Sequence, residues 1–485
     1  MATSKSNRRV WTLTTIGFVL GVVVGATSAV QVAPQFTTSQ AAVGDTALDP
    51  TAPGVGSSLG PIDNPTAGEG GTGNQQADDV VASQFECAPG RNGGATDVGV
   101  TDNSIRLATT VVQSGHGASF LGEVRFAMEA VKNKVNREGG ICGRLLDIQY
   151  VDDAWDAARG AEYLKNFIQS GVFAIPVGAS SEGLGSVITT DVIAKAGIPV
   201  VGTDGLVLNQ YTEPWVWPVA VATVSSARIM ARNAFERGAT NFSIVFDKNY
   251  KFGVEAAEAY NNEVRRLTGS NVKGYNKQNN CDQSFCGILP KQSSYTNEVN
   301  RFDDGDFMAM FLEPTTALTW MGTAGSPKPS TVTYGIGAAQ PLFTRNFAEN
   351  CQKACNGMWV WTGYRPPIEA YKNETAVRRF VTDMQQTKPD ADIYNAFSMG
   401  GYTGMELLVS ALKKVGPYLT RARLLKELDS MNFGNGLTIQ KKLDWRGSHF
   451  ANATMQAFEI GFSTTFSGWR AGVIVRDPTP ERGKD

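Results

Sequence analysis

The stretch VFAIPVGASSEG, residues 172–183, places a short apolar run directly before small residues and two adjacent hydroxyl groups. A helical pattern follows it. A short apolar run of this kind is typical of a strand that is buried on both faces of a sheet. The same order recurs in SIRLATTVV, LLDIQYV and IPVVG, which alternate with amphipathic stretches. Strict alternation of this kind predicts parallel sheets whose right-handed crossover helices cover both faces.

The alternation pauses at the aromatic-rich run YTEPWVWPV, residues 211–219, and then restarts. Two runs divided near Pro218 predict an α/β protein with two doubly wound parallel-sheet lobes, a hinge and a cleft between the lobes. Two long helical patterns, residues 393–416 and 420–431, come after both sheets, so we expect the chain to return to the first lobe. The predicted lobes comprise residues 96–218 plus 365–440 and residues 219–364 plus 441–478.

The first residues have the pattern of a targeting segment. Lys5, Arg8 and Arg9 precede an uncharged apolar run, and no further charge occurs until Asp45. This pattern predicts that residues 1–32 are either a cleaved signal peptide or a retained membrane anchor, and both imply export. Residues 33–84 are rich in Gly, Pro and Thr, which predicts a disordered stalk.

The overall composition excludes several classes of function. The chain has 44 basic and 46 acidic residues, and no basic stripe follows the targeting segment, so we expect no nucleic-acid partner. It has only two histidines, His116 and His449, which argues against a histidine-ligated metal centre. We expect neither a metal nor a cofactor.

Six cysteines follow the stalk, and an even count in an exported protein predicts three disulfides. The sequence leaves the connectivity open, but the short spacings favour two local pairs and leave a third, long-range one. These pairs are Cys281–Cys286, Cys351–Cys355 and Cys87–Cys142. The alternative is a zinc site, because the two short spacings fall near those of known zinc ligands.

In open parallel sheets, ligands bind beyond the carboxyl ends of the strands, so the cleft is expected where the strand ends of both lobes face each other. Four loops are predicted to reach it: residues 177–183, 200–205, 247–253 and 311–314. Ser180 and Ser181, with the free N–H groups of the next helix, form a cradle for polar oxygens.

Thr203 and Asp204, at the neighbouring strand end, add a hydroxyl and a negative charge. Asp204 either caps a turn with Gly205 or contacts a ligand, and the sequence favours neither role.

The same loop can also be compared with a catalytic serine loop and with a phosphate-binding loop. The run ASSEG resembles a nucleophile elbow with Ser181 as nucleophile, and His449 is then the only downstream base. A serine hydrolase is therefore kept as an alternative, although no oxyanion segment precedes the loop. A phosphate loop is excluded, because no lysine follows Gly183.

Four segments resemble one family. The runs at residues 99–115, 129–153, 175–183 and 196–205 look like the leucine/isoleucine/valine-binding type of substrate-binding protein, which has the type I periplasmic-binding fold and serves ABC transporters. The strongest features are the GGICGR pattern, residues 139–144, and the spacing of the two cleft loops. The resemblance covers residues 96–478.

The resemblance implies roles for individual residues. The serine loop would bind the ligand's carboxylate, and an aromatic residue of the second lobe would cover the ligand. The implied ligand-binding residues are Ser180, Ser181, Thr203, Asp204, Phe252, Glu313 and Gln340, and His116 is expected to face the same cleft. The chain departs from the family at Thr203-Asp204-Gly205, where amino-acid binders have alanine and threonines.

The sequence thus predicts a non-catalytic, monomeric solute receptor that delivers a small polar ligand, such as a branched-chain amino acid or an amide, to an ABC permease. Because of the departure at Asp204, peptide-like, polyol and cationic ligands are also considered. A membrane-tethered sensor or scaffold with the same fold is the main alternative.

Overall fold

A computed structural model describes residues 82–178, 180–273 and 287–483. The predicted targeting segment, almost all of the predicted stalk, Cys281 and Cys286 lie outside these residues. Within the part of the chain that is described, no helix is both long and apolar enough to cross a membrane.

The first sheet is entirely parallel, as the alternation of apolar runs predicts. Its strands lie in the order β2-β1-β3-β4-β5, and a parallel bridge between Leu107 and Ala174 joins β1 to β3. The strands are β1 (Ser104–Val111), β2 (Leu145–Asp152), β3 (Ile175–Pro176), β4 (Val200–Thr203) and β5 (Val216–Pro218). The helices between them are α1 (Ala118–Leu121), α2 (Val124–Arg137), α3 (Ala157–Gln169), α4 (Ser181–Thr189) and α5 (Val192–Ala196).

The second sheet is mixed. Its order is β14-β13-β10-β9-β8-β6-β7, in which the five strands from β10 to β7 are parallel and the last two form an antiparallel hairpin. The strands are β6 (Phe242–Asp247), β7 (Gly287–Ile288), β8 (Phe307–Phe311), β9 (Ile336–Ala338), β10 (Trp359–Thr362), β13 (Thr454–Phe462) and β14 (Phe466–Arg476). The helices are α6 (Thr223–Glu236), α7 (Lys251–Thr268), α8 (Thr296–Val299), α9 (Pro314–Gly322) and α10 (Arg345–Cys351).

Three late helices complete the fold: α11 (Thr375–Thr387), α12 (Ala396–Val415) and α13 (Arg421–Ser430). A small hairpin of β11 (Asn432–Phe433) and β12 (Leu443–Asp444) follows them. Helix α12 packs against β4 and α2, so the chain returns to the first sheet before β13 and β14 join the second. The lobe boundaries given above stay a prediction.

The chain passes between the two sheets three times, and hydrogen bonds join the passing segments. Asn452 Nδ2 donates to the Val219 carbonyl at 3.0 Å, and Ile439 N donates to the Gly363 carbonyl at 2.8 Å. Trp445 Nε1 donates to the Pro218 carbonyl at 3.2 Å. These contacts hold the segments that pass between the sheets against each other.

Some expected elements differ from the structure. The single helix expected after β1 is divided into α1 and α2, with Gly122 and Glu123 between them. A strand was expected at residues 272–276. Val272 and Lys273 lie outside any strand, and residues 274–276 lie outside the described residues. Strand β7, which begins at Gly287, was not expected. The antiparallel hairpin at the end of the second sheet was not expected.

Two of the three expected disulfides are present among the described residues. Cys87 is bonded to Cys142, and Cys351 is bonded to Cys355. Because the Cys351 and Cys355 thiols are bonded to each other, the zinc interpretation of that pair is wrong. The third pair lies outside the described residues.

Helix α12 lies against β4 with backbone touching backbone. A Cβ atom on either Gly404 of the helix or Gly202 of the strand would overlap main-chain atoms of the other residue. Gly202 also has φ +91°, a conformation that side-chain-bearing residues rarely adopt. This approach places α12 behind the loop that carries Thr203 and Asp204.

We expect Gly404→Ala to lower the free energy of unfolding by at least about 2 kcal/mol, because the added methyl group has to displace the β4 backbone. Gly322→Ala is the matched control: it is also helical, and nothing lies within 4 Å of its added Cβ. The control should be neutral or stabilising by up to about 1 kcal/mol. Urea denaturation of the two variants measures the difference, and equal stabilities would disprove the contact.

Candidate functional site

The serine loop lies between the end of β3 and the start of α4. Val177 has φ 62°, a rare conformation for a β-branched residue, and Gly178 follows with φ 55°. Ser180 and Ser181 are fully buried, and neither hydroxyl makes a hydrogen bond of full geometry. Each nevertheless lies close enough to one carboxylate, Asp153 for Ser180 and Asp204 for Ser181, to lower the pKa of that carboxyl. Ala179 lies outside the described residues. The loop therefore presents two buried hydroxyls whose hydrogen bonds are unfilled.

Close packing of α4 on α3 holds this loop in place. A Cβ atom on Gly183 would lie 2.8 Å from the Cα of Gly160, so both glycines are needed where the helices cross. Beside them, Asp153 is fully buried; its Oδ1 accepts from Trp155 N at 2.9 Å, and its Oδ2 has no partner. Burial raises the pKa of Asp153 to about 6, against the opposing effect of the Ser180 hydroxyl.

In the loop after β4, one carboxylate oxygen of Asp204 is hydrogen-bonded within the loop and the other is not. Its Oδ1 accepts from Leu206 N and from Gln210 Nε2, both at 3.1 Å, and this is the expected turn-capping role. Its Oδ2 is buried without a partner, and the buried Thr203 hydroxyl beside it has none either. Burial raises the pKa of Asp204 to about 7, and the negative charge of Glu182 adds to the rise.

On the second sheet, the strand ends contribute an aspartate that the sequence analysis did not name. Asp247, the last residue of β6, is fully buried; its Oδ2 accepts from Glu313 N at 2.7 Å, and its Oδ1 has no partner. Burial raises its pKa well above the ordinary value. Its only signal in the sequence is its position directly after an apolar run.

Two of the expected second-lobe residues make contacts within their own lobe. Glu313 is the N-cap of α9, and its carboxylate accepts from Thr315 N at 2.8 Å and from Thr316 N at 2.6 Å. Gln340 Oε1 accepts from the Thr362 hydroxyl at 3.1 Å. The helix cap thus occupies both oxygens of Glu313, whereas Ser180, Ser181, Thr203 and Asp204 keep free polar atoms.

Aromatic side chains meet across the cleft. Trp155, which follows β2, stacks on Tyr250, which precedes α7, with ring centroids 4.4 Å apart. His116 stacks on the same tyrosine at 5.4 Å, and its Nε2 is hydrogen-bonded to the Tyr250 hydroxyl. Phe252 is buried 6.2 Å from Trp155, between centroids. The sequence analysis named His116 and Phe252 but missed the two rings that connect them.

Two carboxylates also join the two sides of the cleft, because each accepts a hydrogen bond from a backbone N–H of the opposite side. Glu182 Oε1 accepts from Lys251 N at 3.0 Å, and Glu255 Oε2 accepts from Leu208 N at 2.7 Å. Burial raises the pKa of Glu182 to about 7, and burial together with the Lys291 charge lowers the pKa of His116 to about 4. The structure is therefore a closed form in which His116 is neutral at physiological pH.

The serine hydrolase alternative requires a histidine base close to Ser181, and the structure places none there. His449 contacts the Val216 carbonyl, at the amino-terminal end of β5, and its Nε2 lies 3.8 Å from Asp429. Ser181 instead follows the carboxyl end of β3, and the two strands run parallel through β4. The geometry does not pair these residues. Among the described residues, no cluster of three or more histidine, cysteine or acidic side chains could hold a metal ion.

The fold and the cleft match one known family. The family model described as periplasmic binding protein matches residues 104–465, so the chain belongs to that family. The α/β fold is that of the type I periplasmic-binding proteins. No curated protein matches the chain.

Solved structures agree on the fold at low sequence identity. A fatty acid ABC transporter substrate-binding protein from Thermomonospora curvata has a TM-score of 0.66 at 17% identity, covering 81% of this chain and 97% of its own. The isoleucine complex of the branched-chain amino acid transporter substrate-binding protein LivJ from Streptococcus pneumoniae has a TM-score of 0.60 at 13% identity. The match covers 76% of this chain and 99% of that protein. A solute-binding protein of an ABC transporter from R. palustris, in complex with 4-hydroxybenzoate, has a TM-score of 0.62 at 13% identity. The match covers 77% of this chain and 98% of that protein.

The buried Asp204 carboxyl predicts a pH-dependent stability. Because its pKa is near 4 in the unfolded chain and about 7 in the folded protein, it favours the folded state below pH 4. That contribution is lost as the pH rises from about 4 through about 7. Asp204→Asn removes the loss, so we expect its Tm without ligand to exceed the wild-type value by about 1–3 °C at pH 8 and to equal it at pH 4.

Differential scanning calorimetry at the two pH values measures this difference. Asp390→Asn, which changes an exposed aspartate, is the matched control and should have no effect at either pH. A lower Tm for Asp204→Asn at pH 8 would show that the carboxylate is compensated by its neighbours.

Proposed function

We propose that this protein is an exported solute-binding protein that encloses a small polar ligand and delivers it to an ABC permease. One observation carries the proposal: both sides of the cleft present buried polar atoms without hydrogen-bond partners. They are Ser180 Oγ, Ser181 Oγ, Thr203 Oγ1, Asp204 Oδ2 and Asp247 Oδ1. Each unsatisfied buried group costs about 1–3 kcal/mol. A polar ligand that satisfies several of them stabilises the closed form.

The family supports this role, because its relatives of known structure are described as transporter solute-binding proteins. Those relatives bind an amino acid, a hydroxybenzoate or a fatty acid on one fold. The ligand is therefore set by the few side chains at the strand ends. In this chain the serine loop and the loop after β4 are the main candidates for these contacts.

Closing of the cleft around the ligand gives the protein a distinct conformation that a permease can recognise. The stack of Trp155 on Tyr250 and the hydrogen bond between Glu182 and Lys251 N join residues of the two sheets, so both form only when the cleft is shut. A ligand held from both sides shifts the population toward this closed form. We propose that the permease recognises it, with residues 1–32 and 33–84 serving for export and attachment to the outer face of the membrane, and that the protein acts as a monomer.

A thermal-shift screen of the purified protein against amino acids, amides, sugars and amines tests this proposal. A ligand at a hundredfold excess over its Kd stabilises the folded state by about 2.7 kcal/mol. We expect Ser181→Ala to weaken binding of the solute found by at least about tenfold, because one hydrogen bond is lost, with little change in Tm without ligand. Ser186→Ala, farther along α4, is the control and should bind normally.

Unchanged affinity in Ser181→Ala would move the binding site away from the serine loop. Cellular uptake separates transport from sensing. Loss of accumulation of the solute after gene deletion supports delivery to a permease, and normal accumulation supports a sensor or scaffold.

A further inference from the structure

The carboxylates of the cleft receive only neutral hydrogen-bond donors from the residues described above. Asp204 accepts from a backbone N–H and an amide, Asp247 accepts from a backbone N–H, and Asp153 does the same. Each of the three keeps one buried oxygen that no donor reaches in full hydrogen-bond geometry, and the groups nearest to Asp153 and Asp204 are the neutral hydroxyls of Ser180 and Ser181. A buried carboxylate that lacks a cationic partner is costly, so the site is electrostatically incomplete.

Lysines do lie near the cleft, but they act on other groups. The Lys251 charge stabilises the Glu182 carboxylate, and the Lys291 charge acts on His116. Both lysines are exposed at the rim. The titratable groups that face Asp204 are Glu182, Tyr211 and Tyr364, and none of them can carry a positive charge.

Aromatic residues lie close to two of these carboxylates, since Trp155 N donates to Asp153 and the charge of Asp247 acts on Tyr250. Glu182 links the two sets, because its charge acts on both Asp204 and Tyr250. Tyr250 and Phe252 on the opposite side and Trp155 on the side of Asp204 lie with their ring centroids 4.4 to 6.2 Å apart. Aromatic faces beside a carboxylate are the combination that attracts organic ammonium groups.

A ligand carboxylate at the serine loop is disfavoured by the same geometry. Ser181 adjoins Asp204, whose free oxygen would repel a second carboxylate held by the two serines. The serine and threonine hydroxyls can instead accept from a ligand N–H or donate to a neutral oxygen. The loop therefore suits the uncharged part of a ligand whose charge is positive.

We propose that the cleft selects a small organic cation that places its ammonium group at Asp204 Oδ2 and presents no carboxylate to the serine loop. This inference rests on the proposed function, since it names the ligand class of the same cleft.

Isothermal titration calorimetry on the purified full chain at pH 8 tests the proposal with pairs of equal shape. Choline is paired with its neutral isostere 3,3-dimethyl-1-butanol, and putrescine is paired with 1,4-butanediol. L-isoleucine and 4-hydroxybenzoate serve as carboxylate-bearing probes. We expect at least one of the two cations to bind at least about 100-fold more tightly than its neutral partner and than either carboxylate.

The charge of Asp204 should account for that selectivity. Asp204→Asn keeps the turn-capping oxygen and should weaken cation binding by at least about 100-fold, whereas the exposed variant Asp390→Asn should bind as the wild type does. A measurement that needs no variant is the affinity of the wild type for the bound cation at pH 5. It should be at least about tenfold weaker than at pH 8, because the carboxyl is then protonated.

Binding of neither cation overturns the inference, and so does equal cation affinity in Asp204→Asn and the wild type. Binding of isoleucine or 4-hydroxybenzoate in place of the cations overturns the inference while leaving the proposed solute-binding function intact. The proposed function itself fails only if no solute of any charge, in these pairs or in the wider screen, stabilises the protein.

Discussion

Direct contact between the backbones of Gly202 and Gly404 is the constraint on which the cleft depends. The two residues are about 200 positions apart in the chain, yet no side chain separates the strand from the helix. Thr203 and Asp204 come immediately after the strand glycine, so the helix sets how deeply they lie. A larger residue at either position would push the loop outward and give its polar atoms access to water.

Burial is what makes these polar atoms effective. In water, the Asp204 carboxylate and the two serine hydroxyls would be solvated, and a ligand would only exchange one partner for another. In the cleft, the second oxygen of Asp204 and both hydroxyls are buried and make no hydrogen bond to the described residues. The protein gives up stability at the site, and the ligand restores it on binding. The same trade explains why the structural oxygen of Asp204 is well bonded while the other is left free.

Much of the fold follows from the sequence, because apolar runs at regular spacing leave few arrangements other than parallel sheets. The serine loop and the loop after β4 were correctly placed at strand ends for the same reason. The antiparallel hairpin, β13 and β14, was missed because no helix lies between its two strands, so the alternation of strands and helices does not predict it. Cys351–Cys355 was predictable from spacing alone.

Contacts between segments that are distant in the sequence could not be predicted from local sequence patterns. Nothing near Tyr250 in the sequence shows that it stacks on Trp155, and the positive φ of that tryptophan, 61°, has no sequence signature. Glu313 illustrates the opposite case. It precedes Pro314 at the start of a helix, a local pattern that favours a capping role, and the family resemblance gave it a ligand role instead.

The three hydrogen-bonded segments that pass between the sheets have a mechanical consequence. A single connection would let one lobe swivel about the other, but three connections side by side resist torsion and leave bending as the soft motion. We therefore expect opening and closing to follow this bending motion, with each lobe moving as a unit. The outer surfaces would then keep their shape, and the angle between them would be what differs between the empty and the filled cleft.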